Sequence, residues 1–250
     1  MFNANKIKDE IVLWIRNYFD RNGKGAPAVV GISGGKDSSV AAALCARAIG
    51  ADRVCGILMP RWEQWDIGVS RDLAAFLGIR HWTVNVGSCA DSILSAMREG
   101  GLEPNRQAET NAPARVRMAA LYAAAAILGG RVACTGNLSE AWVGYSTKFG
   151  DAAGDFAPIA SLTATEVRAV GRELGLPAKF VDKTPEDGLS GLSDEENMGF
   201  SYEVLDRYIR EGACEDAQTR AKIDGLRAAG LHKILPMPAY ALPAQKPGAR

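Results

Sequence analysis

The sequence predicts an α/β protein with a doubly wound, mostly parallel sheet and extra helices toward its C-terminal end. Two observations indicate this fold class. Short runs of consecutive apolar residues, typical of strands buried on both faces of a parallel sheet, alternate with segments of helical periodicity. In the last third of the chain, helical patterns follow one another without a strand between them. Alternating strands and helices favour right-handed crossovers, with helices covering the sheet.

The first predicted element is an amphipathic helix within residues 1–24. Six apolar side chains recur there at helical spacing: Ile7, Ile11, Trp14, Ile15, Tyr18 and Phe19. The dipeptide Asn22-Gly23 then ends the helical pattern. We expect strands at residues 28–32, 53–59, 81–86 and 131–135, and helices between them at residues 40–49, 69–77, 88–98 and 112–128.

The chain changes character after the fourth predicted strand. Residues 136–158 read as a glycine-containing loop, and we expect residues 144–154 within it to move as a lid because they combine glycines with charges. The segment Thr163-Ala-Thr-Glu166 has the form of a capping box and predicts a helix through Leu174.

Two more helices are expected near the C-terminal end, at residues 194–210 and 215–229, after a turn-rich segment at 179–191. Residues 234–250 are proline-rich and predict an extended tail. Since neither an internal repeat nor a linker is visible, we expect residues 1–250 to form a single domain.

Composition and charge exclude several classes of function. The chain has 250 residues, of which 47% are hydrophobic and 23% are charged, as in ordinary globular proteins. Its 29 basic and 29 acidic side chains give a formal net charge of zero. A chain so balanced has no overall field that would draw it to a nucleic acid or an anionic membrane, so we expect neither partner.

The cysteines and the N-terminal segment point to the compartment. The five cysteines form no C-x-x-C pair, so the sequence indicates neither a disulfide framework nor a zinc or iron–sulfur site. Residues 1–20 lack the apolar core of a secretory signal, and no apolar stretch is long enough to cross a bilayer. We therefore expect a cytoplasmic protein.

The loop that joins the first predicted strand to the next helix carries the clearest chemical signal. It consists of Gly31, Ile32, Ser33, Gly34, Gly35, Lys36, Asp37, Ser38 and Ser39. Adjacent glycines let backbone N–H groups close around an anion, and the helix N-terminus adds partial positive charge. The Asp37 carboxylate would repel a bare phosphate, but it suits a site where Mg²⁺ lies between carboxylate and phosphate. The expected ligand is therefore magnesium pyrophosphate, as part of ATP.

This loop resembles the S-G-G-x-D-S signature of the ATP pyrophosphatases, which cleave ATP between its α and β phosphates. It matches neither the phosphate loop of kinase-like nucleotide enzymes nor the glycine motif of dinucleotide oxidoreductases. The resemblance implies a Rossmann-like sheet of the adenine nucleotide alpha hydrolase type. Trp62 and Trp65 follow the second predicted strand, where such enzymes place contacts to adenine, although packing at the surface is an equally good interpretation of both.

Three further blocks resemble one family, the ammonia-dependent NAD synthetases. The first contains Asn111, Arg115, Arg117 and Met118; the second runs from Thr135 through Glu140 and Lys148 to Asp155; the third includes residues 183–202 and His232-Lys233. The resemblance extends in order from residue 29 to 233. It implies a ligase that joins ammonia to the carboxylate of nicotinic acid adenine dinucleotide (deamido-NAD) and converts ATP to AMP and pyrophosphate through an adenylated carboxylate.

The resemblance also implies roles for individual residues. Asp37 and Glu140 match the magnesium ligands, and with Lys36 they form the predicted catalytic set. Thr135 matches a contact to ATP, in addition to residues 31–39. Five residues match contacts to the deamido-NAD substrate: Arg115, Lys148, Asp155, His232 and Lys233. A homodimer is expected, because the substrate site of the family lies across a two-fold interface; the Ala-rich helix 112–128 is a candidate for that interface.

Two positions depart from the family pattern on the ATP side. Many members have lysine where this chain has Ala164, and threonine where it has Glu186. We hypothesise that Lys36, or alternatively Lys183, restores the missing positive charge. Two other interpretations stay open: a tRNA-modifying or sulfur-transferring ATP pyrophosphatase, and a nucleotide-binding homologue with weakened catalysis. Free ammonia is the implied nitrogen donor, unless a separate amidase subunit delivers it.

Overall fold

Four parallel strands form the sheet of the computed structural model, which describes residues 2–182 and 193–240. In chain order they are β1 (Ala28–Gly31), β2 (Val54–Leu58), β3 (Arg80–Thr83) and β4 (Arg131–Ala133). Their order across the sheet is β3-β2-β1-β4. The chain therefore proceeds outward in one direction from β1 to β3 and then crosses back to β4, so the order reverses between β1 and β4. The prediction of a parallel α/β fold is confirmed.

The strands lie where the sequence predicts them, with shorter bounds. Val29 pairs with Cys55 on one side and with Val132 on the other, which fixes the register at the centre of the sheet. Hydrogen bonds between β2 and the segment after β3 continue beyond the strand, from Val84 N to Leu58 O at 2.8 Å and from Val86 N to Pro60 O at 2.9 Å. The expected strand 81–86 thus includes a paired segment that lies outside regular strand geometry.

Helices pack on both faces of the sheet. Described helices of the first two thirds are α1 (Ala4–Asn22), α2 (Lys36–Ile49), α3 (Ile67–Leu77), α4 (Gly87–Glu99), α5 (Arg106–Leu128), α6 (Leu138–Trp142), α7 (Ala164–Glu173) and α8 (Ala178–Val181). Because side chains alternate along a strand, Val30 joins the core formed with α1, α2 and α7, whereas Val29 packs with Leu121 of α5. This alternation explains why β1 is continuously apolar.

Three predictions about helices need correction. Helix α5 begins at Arg106 rather than at 112, since the Asn105 side chain caps it and Pro113 is accommodated inside it. The expected loop 136–158 contains α6, whose capping box joins Asn137 and Glu140. The turn-rich segment contains the short helix α8 before it passes outside the described residues.

The predicted helix 194–210 was also wrong, because it is two helices. Helix α9 (Asp194–Met198) ends at Gly199, whose φ of +77° is a left-handed conformation that favours glycine. Ser201 then caps α10 (Tyr202–Glu211) by accepting a hydrogen bond from Val204 N. The last helix, α11 (Ala217–Ile234), extends five residues beyond the predicted end at 229.

A second, smaller core joins these C-terminal helices to the sheet domain. It contains Val143, Ala164, Met198, Phe200, Tyr202, Leu205 and Ile223, all buried. The predicted tail, 234–250, is described as far as residue 240: Ile234 is the last residue of α11, and residues 235–240 have no helix or strand structure. Within the described ranges, no helix has the length and apolar character needed to cross a membrane.

Candidate functional site

The loop after β1 lies at the carboxyl edge of the sheet, where the strand order reverses. Open parallel sheets bind ligands at this kind of position, because the loops on either side diverge there and leave a crevice. Asp37 follows β1 and Glu140 follows β4, so the two acids approach this crevice from the two strands that border it. The structure thus brings together two residues that lie about a hundred positions apart in the sequence.

The loop itself is held by its own serines. Ser33 Oγ lies 3.0 Å from Ser38 Oγ and accepts a hydrogen bond from Gly35 N at 3.2 Å. Ser39 Oγ donates to Gly35 O at 2.8 Å. Gly34 has a φ of +78°, and a Cβ there would lie 3.1 Å from Ser70 Oγ, so the turn requires glycine for both conformation and space. Gly35 is the N-cap residue of α2 and provides no side-chain cap, which leaves the start of the helix open toward an anion.

Asp37 is held from two directions. Its Oδ2 accepts a hydrogen bond from Lys36 Nζ at 2.8 Å, and its Oδ1 accepts one from Asn137 Nδ2 at 2.9 Å. Asn137 also caps α6 by accepting from Glu140 N at 3.0 Å, while Glu140 Oε2 accepts from Asn137 N at 3.1 Å. One asparagine therefore fixes Asp37 and Glu140 relative to each other.

The two carboxylates of Asp37 and Glu140 influence each other electrostatically. Burial, and next the negative charge of Asp37, raise the pKa of Glu140 to about 8, against the lowering effect of Lys36. A second cation between the two acids would reverse this shift. Mg²⁺ is bound in nucleotide sites by one or two carboxylates together with phosphate oxygens, so this donor pair fits it. Among the described residues there is no cluster of three or more acidic, histidine or cysteine side chains that would hold a metal without a phosphate.

Lys36 points inward rather than along the surface. Its side chain is 1% exposed, and its ammonium lies 5.2 Å from the centre of the Tyr202 ring. The Tyr202 hydroxyl in turn donates to Asp194 Oδ2 at 3.1 Å. Burial raises the pKa of Asp194 despite this hydrogen bond. Lys36 is therefore the cation at the centre of a group of acids that includes residues from the C-terminal helices.

Asn137, Asp194 and Tyr202 were not identified from the sequence as parts of the site. For Asn137 a signal was available, because Asn137-x-x-Glu140 has the spacing of a capping box. For Tyr202 no local pattern indicates contact with a lysine 166 positions earlier. Thr135 lies two residues beyond β4 and two residues before Asn137, and its role in binding ATP stays a prediction.

Four of the predicted substrate residues lie together around residues 144–151. Arg115 Nε donates to Lys148 O at 3.3 Å, and Lys148 Nζ donates to His232 O at 2.7 Å. Lys233 Nζ donates to Gly144 O at 2.7 Å and to Ser146 O at 2.9 Å. The C-terminal end of α11 is thereby joined to the loop after α6 and to the side of α5.

Asp155 occupies a different place. Its Oδ2 accepts a hydrogen bond from Val132 N at 2.8 Å, and its own N–H donates to Val132 O at 2.8 Å, so it lies beside β4 in the manner of a short extra strand. Its Oδ1 is 3.4 Å from the Tyr122 hydroxyl. These contacts give Asp155 a structural role, and its contact with the substrate stays a prediction.

The segment 144–154, expected to be a lid, is tied to its surroundings by several contacts. The backbone of Gly144 packs against Gly230 of α11 so closely that a Cβ on either would lie 2.6 Å from the other's Cα. Thr147 Oγ1 donates to Asn111 Oδ1 at 2.8 Å, and Thr147 N donates to Asp151 Oδ1 at 2.7 Å. These contacts do not suggest a loop that is free to open.

The two departures from the family pattern have different outcomes. Ala164 is fully buried, packs in the same small core as Tyr202, and donates its N–H to Ser139 Oγ at 2.9 Å. Ala164 shares this core with Tyr202, whose ring centre lies 5.2 Å from the Lys36 ammonium. Glu186 and Lys183 lie outside the described residues.

Comparisons with known proteins agree on one family. The family model for NAD synthase matches residues 7–235. An NH₃-dependent NAD⁺ synthetase of Pyrococcus furiosus is 38% identical over 202 residues, which cover 80% of this chain and 77% of the relative. The solved NAD⁺ synthetase of Burkholderia pseudomallei is 32% identical with a TM-score of 0.77, covering 93% of this chain and 90% of that one. The solved NMN synthetase of Francisella tularensis is 28% identical with a TM-score of 0.87, covering 96% and 100%.

Proposed function

Because this chain belongs to the NAD synthase family, we propose that it catalyses the ATP-dependent amidation of deamido-NAD with ammonia. The products are NAD, AMP and pyrophosphate, and the enzyme is a carbon–nitrogen ligase. The main observation in support is that the Asn137 side chain forms hydrogen bonds with both Asp37 and Glu140. These residues lie beside an open phosphate loop, at the point where the strand order reverses. The tRNA-modifying or sulfur-transferring alternative is not favoured, since the matching relatives are NAD synthetases.

We propose that residues 31–39 hold the two outer phosphates of ATP. A carboxylate is a poor acylating agent, so the acceptor carboxylate first attacks the α-phosphorus and pyrophosphate leaves. The loop amides and the serine hydroxyls are already fixed around the place where negative charge accumulates, so little reorganisation is needed as it forms. Asp37 and Glu140 would hold a magnesium ion, which supplies positive charge to the departing pyrophosphate. Ammonia then displaces AMP from the mixed anhydride.

Lys36 is proposed to keep the two acids in place and to add positive charge beneath the loop. It is buried against Asp37 and Tyr202, so its charge acts from inside the protein rather than from solvent. This geometry supports the hypothesis that Lys36 replaces the positive charge that other members carry at position 164. During turnover Asp37 would then interact with magnesium as well as with Lys36, and the positive charge of Lys36 would also act on ATP.

The group formed by Arg115, Lys148, His232 and Lys233 is proposed to bind the acceptor. Its hydrogen bonds hold three basic side chains, Arg115, Lys148 and Lys233, close to one another, which supports a role in binding the phosphates of a nucleotide acceptor. Adenylation needs no base at His232, because the attacking carboxylate is already ionised. His232 is therefore proposed as a binding residue.

We also propose a homodimer and a cytoplasmic location. Helices α4 and α5 expose large apolar side chains, among them Ile93, Met97 and Ile127, and α5 exposes small residues such as Ala119 and Ala123. Such a face suits close helix packing in a symmetric interface. All five cysteines are free thiols, and the reaction consumes ATP, which together support a cytoplasmic enzyme.

A mononucleotide acceptor is the second candidate, because one of the similar solved structures is an NMN synthetase. The NMN synthetase of Francisella tularensis has a higher TM-score to this chain, 0.87, than the NAD⁺ synthetase of Burkholderia pseudomallei, 0.77. The sequence identities rank in the opposite order, 28% against 32%. Both acceptors present the same nicotinate carboxylate, so the chemistry at the phosphate loop is unchanged.

A product assay tests the proposal. The protein is incubated with ATP, Mg²⁺, ammonium and deamido-NAD, and we expect NAD, AMP and pyrophosphate in equal amounts.

Glu140→Gln should lower turnover by at least roughly 100-fold, because glutamine keeps the cap of α6 but removes the charge. The matched control is Glu196→Gln in the capping box of α9, which should be active. Formation of ADP, or full activity of the Glu140 variant, would refute the proposal.

A further inference from the structure

A buried carboxylate on α10 connects the first turns of two other helices, one of which carries Glu140. Asp206 is 4% exposed, and each of its oxygens accepts a hydrogen bond. Oδ1 accepts from the hydroxyl of Ser139, the residue before Glu140 in the first turn of α6. Oδ2 accepts from Thr165 N, in the first turn of α7, at 2.8 Å. Asp206 therefore links α6 and α7 to α10 from outside the group proposed to bind metal and phosphate.

The hydrogen bonds around Ser139 require a carboxylate at position 206. Ala164 N donates to Ser139 Oγ at 2.9 Å, and the Ser139 hydroxyl proton is donated to Asp206. Thr165 N donates to the other oxygen of Asp206, so both oxygens face donors. An asparagine would accept on one side only and would turn its NH₂ group toward the second donor. Because a buried donor without an acceptor costs free energy, the charged residue fits this position better than its amide.

Helix α6 is too short to hold its own position. It has five residues, and isolated helices shorter than about 12 residues are marginally stable in water. Side chains of its N-cap and first turn contact other segments on two sides. Asn137 donates to Asp37 at 2.9 Å within the site, and Ser139 donates to Asp206 from behind it. Since Glu140 directly follows Ser139, a shift of Ser139 also moves the Glu140 backbone.

Helix α10 has further contacts with α7 that do not involve Asp206. Arg210 Nε donates to Glu166 Oε1 at 2.9 Å, and Arg168 forms an ion pair with Glu203 at 3.3 Å. These contacts, together with the small core around Tyr202, attach α10 to the rest of the fold. Loss of the hydrogen bond between Asp206 and Ser139 should therefore leave α10 in place and release α6.

We propose that Asp206 is a positioning residue, which through Ser139 holds the Glu140 carboxylate beside Asp37. The inference rests on the proposed function, in which Glu140 and Asp37 share a magnesium ion with the phosphates of ATP. Removing an outer contact that orients a metal ligand commonly lowers metal affinity by about 10- to 100-fold. Asp206 acts on Glu140 through a neighbouring residue, so an effect at the lower end, roughly 10-fold, is expected.

The test measures nucleotide binding, which does not depend on turnover. Calorimetry gives the Kd of the non-cleavable analogue α,β-methylene-ATP, with Mg²⁺ and with EDTA, for wild type, Asp206→Asn and Ser139→Ala. In wild type Mg²⁺ should tighten binding. In both variants this gain should shrink by roughly 10-fold, while the Kd in EDTA changes by less than about twofold. A contact that served only the stability of the fold would not separate the two Kd values in this way.

The two variants also test each other. Both break the same hydrogen bond, so the double variant should lose no more of the Mg²⁺-dependent gain than the more affected single variant. Ser139→Ala removes a single hydroxyl group and keeps the test valid if Asp206→Asn does not fold. In the amidation assay, the Mg²⁺ concentration for half-maximal rate should rise in both variants, with the KM for deamido-NAD unchanged.

Two control variants separate positioning from loss of charge and loss of stability. Asp216→Asn removes a carboxylate that accepts from Thr219 N at 2.8 Å at the start of α11. Ile15→Val removes a methylene group from the main core, where Ile15 is fully buried, and lowers stability there. Both controls should show the wild-type response to Mg²⁺.

The possible outcomes distinguish this inference from the proposed function. Wild-type Kd values in Asp206→Asn and Ser139→Ala, or equal weakening with Mg²⁺ and with EDTA, would overturn the positioning role while amidation by the wild type stands. Wild-type binding that does not respond to Mg²⁺ would overturn the role together with the metal site on which it depends. A wild type that forms no NAD from deamido-NAD would refute the proposed function itself.

Discussion

Lys36 is the residue whose position departs most from what the loop motif alone suggests. In a phosphate loop a lysine is expected to reach toward the ligand, yet here the side chain is buried and pairs with Asp37 from within. Its other neighbour is the Tyr202 ring, which belongs to the C-terminal core. Lys36, which we hypothesise to compensate for Ala164, therefore also connects the loop to helices distant in sequence.

We expect Lys36→Gln to reduce both stability and ATP use. Removing one partner of a buried ion pair leaves an uncompensated carboxylate, which costs about 3–5 kcal/mol of unfolding free energy. The exposed pair of Lys179 and Asp72, at 2.7 Å, provides the control, because Lys179→Gln should cost less than about 1 kcal/mol. Urea unfolding measures both variants, and kinetics should show a higher KM for ATP or lost turnover only in Lys36→Gln. Near-normal stability and ATP kinetics would contradict the assigned role.

The Glu140 carboxyl makes the stability of the ligand-free protein depend on pH. Its pKa in the folded state is raised to about 8 by burial and by Asp37, above its ordinary value of 4.5. The folded state therefore holds more protons than the unfolded state between these values, and stability from this group falls as pH rises through that range. Unfolding free energies at pH 5 to 8 should decrease less in Glu140→Gln than in wild type. Parallel pH profiles for the two proteins would show that Glu140 is not perturbed in this way.

At the level of single residues, the sequence located the acids but not their connections. The loop motif and the family resemblance placed Asp37 and Glu140 at the site because both follow strand ends. The hydrogen bond from Asn137 to Asp37 and the approach of Lys36 to Tyr202 depend on how α6 and α10 pack against the sheet. Such long-range contacts leave no local pattern in one sequence.

Among the elements, the packing of α11 against the loop after α6 brings together the residues proposed to bind the acceptor. These are Arg115, Lys148, His232 and Lys233. The contact depends on two glycines, Gly144 and Gly230, whose backbones touch. It places Lys233 against the carbonyl groups of residues 144 and 146, and it holds Lys148 against His232. The sequence predicted mobility here from the glycines; in the structure these two glycines allow close packing instead.

We expect Gly230→Ala to destabilise the protein and to impair acceptor binding. A methyl group at this position would lie 2.6 Å from the Gly144 Cα, so the helix and the loop must separate. The substitution should lower the free energy of unfolding by roughly 1–3 kcal/mol, as at other overpacked positions. It should also raise the KM for the acceptor more than the KM for ATP. Gly225→Ala, in the same helix with nothing within 4 Å of the added methyl, should instead stabilise the protein by up to about 1 kcal/mol. Similar behaviour of the two variants would argue against the packing role of Gly230.

The boundaries of elements were predicted less well than their order. The four strands and the capped helix at 164 follow from apolar runs and from a capping box, both local signals. The break at Gly199-Phe-Ser201 was overlooked because the apolar spacing continues across it. The start of α5 was placed too late, since the helix begins at Arg106 after its Asn105 cap and includes Pro113.

For the whole molecule, the strand order β3-β2-β1-β4 explains why one crevice receives residues from the entire chain. The segments that follow β1 and β4 carry Asp37 and Glu140, and the C-terminal helices carry Asp194 and Tyr202, which lie near Lys36. A strand order that reverses next to the phosphate loop leaves a crevice at the carboxyl edge of the sheet, the position at which open parallel sheets bind ligands. The single domain predicted for residues 1–250 stays a prediction. It depends on the small core around Tyr202, through which the C-terminal helices pack against the rest of the fold.

The transfer of oxygen from the acceptor to AMP tests the proposed chemistry most directly. Deamido-NAD labelled with ¹⁸O in its nicotinate carboxylate is converted with ATP, Mg²⁺ and ammonium, and the AMP is examined by mass spectrometry. If the carboxylate attacks the α-phosphorus, each AMP carries one labelled oxygen, and pyrophosphate carries none. Unlabelled AMP, or ADP with the label in inorganic phosphate, would contradict attack at the α-phosphorus.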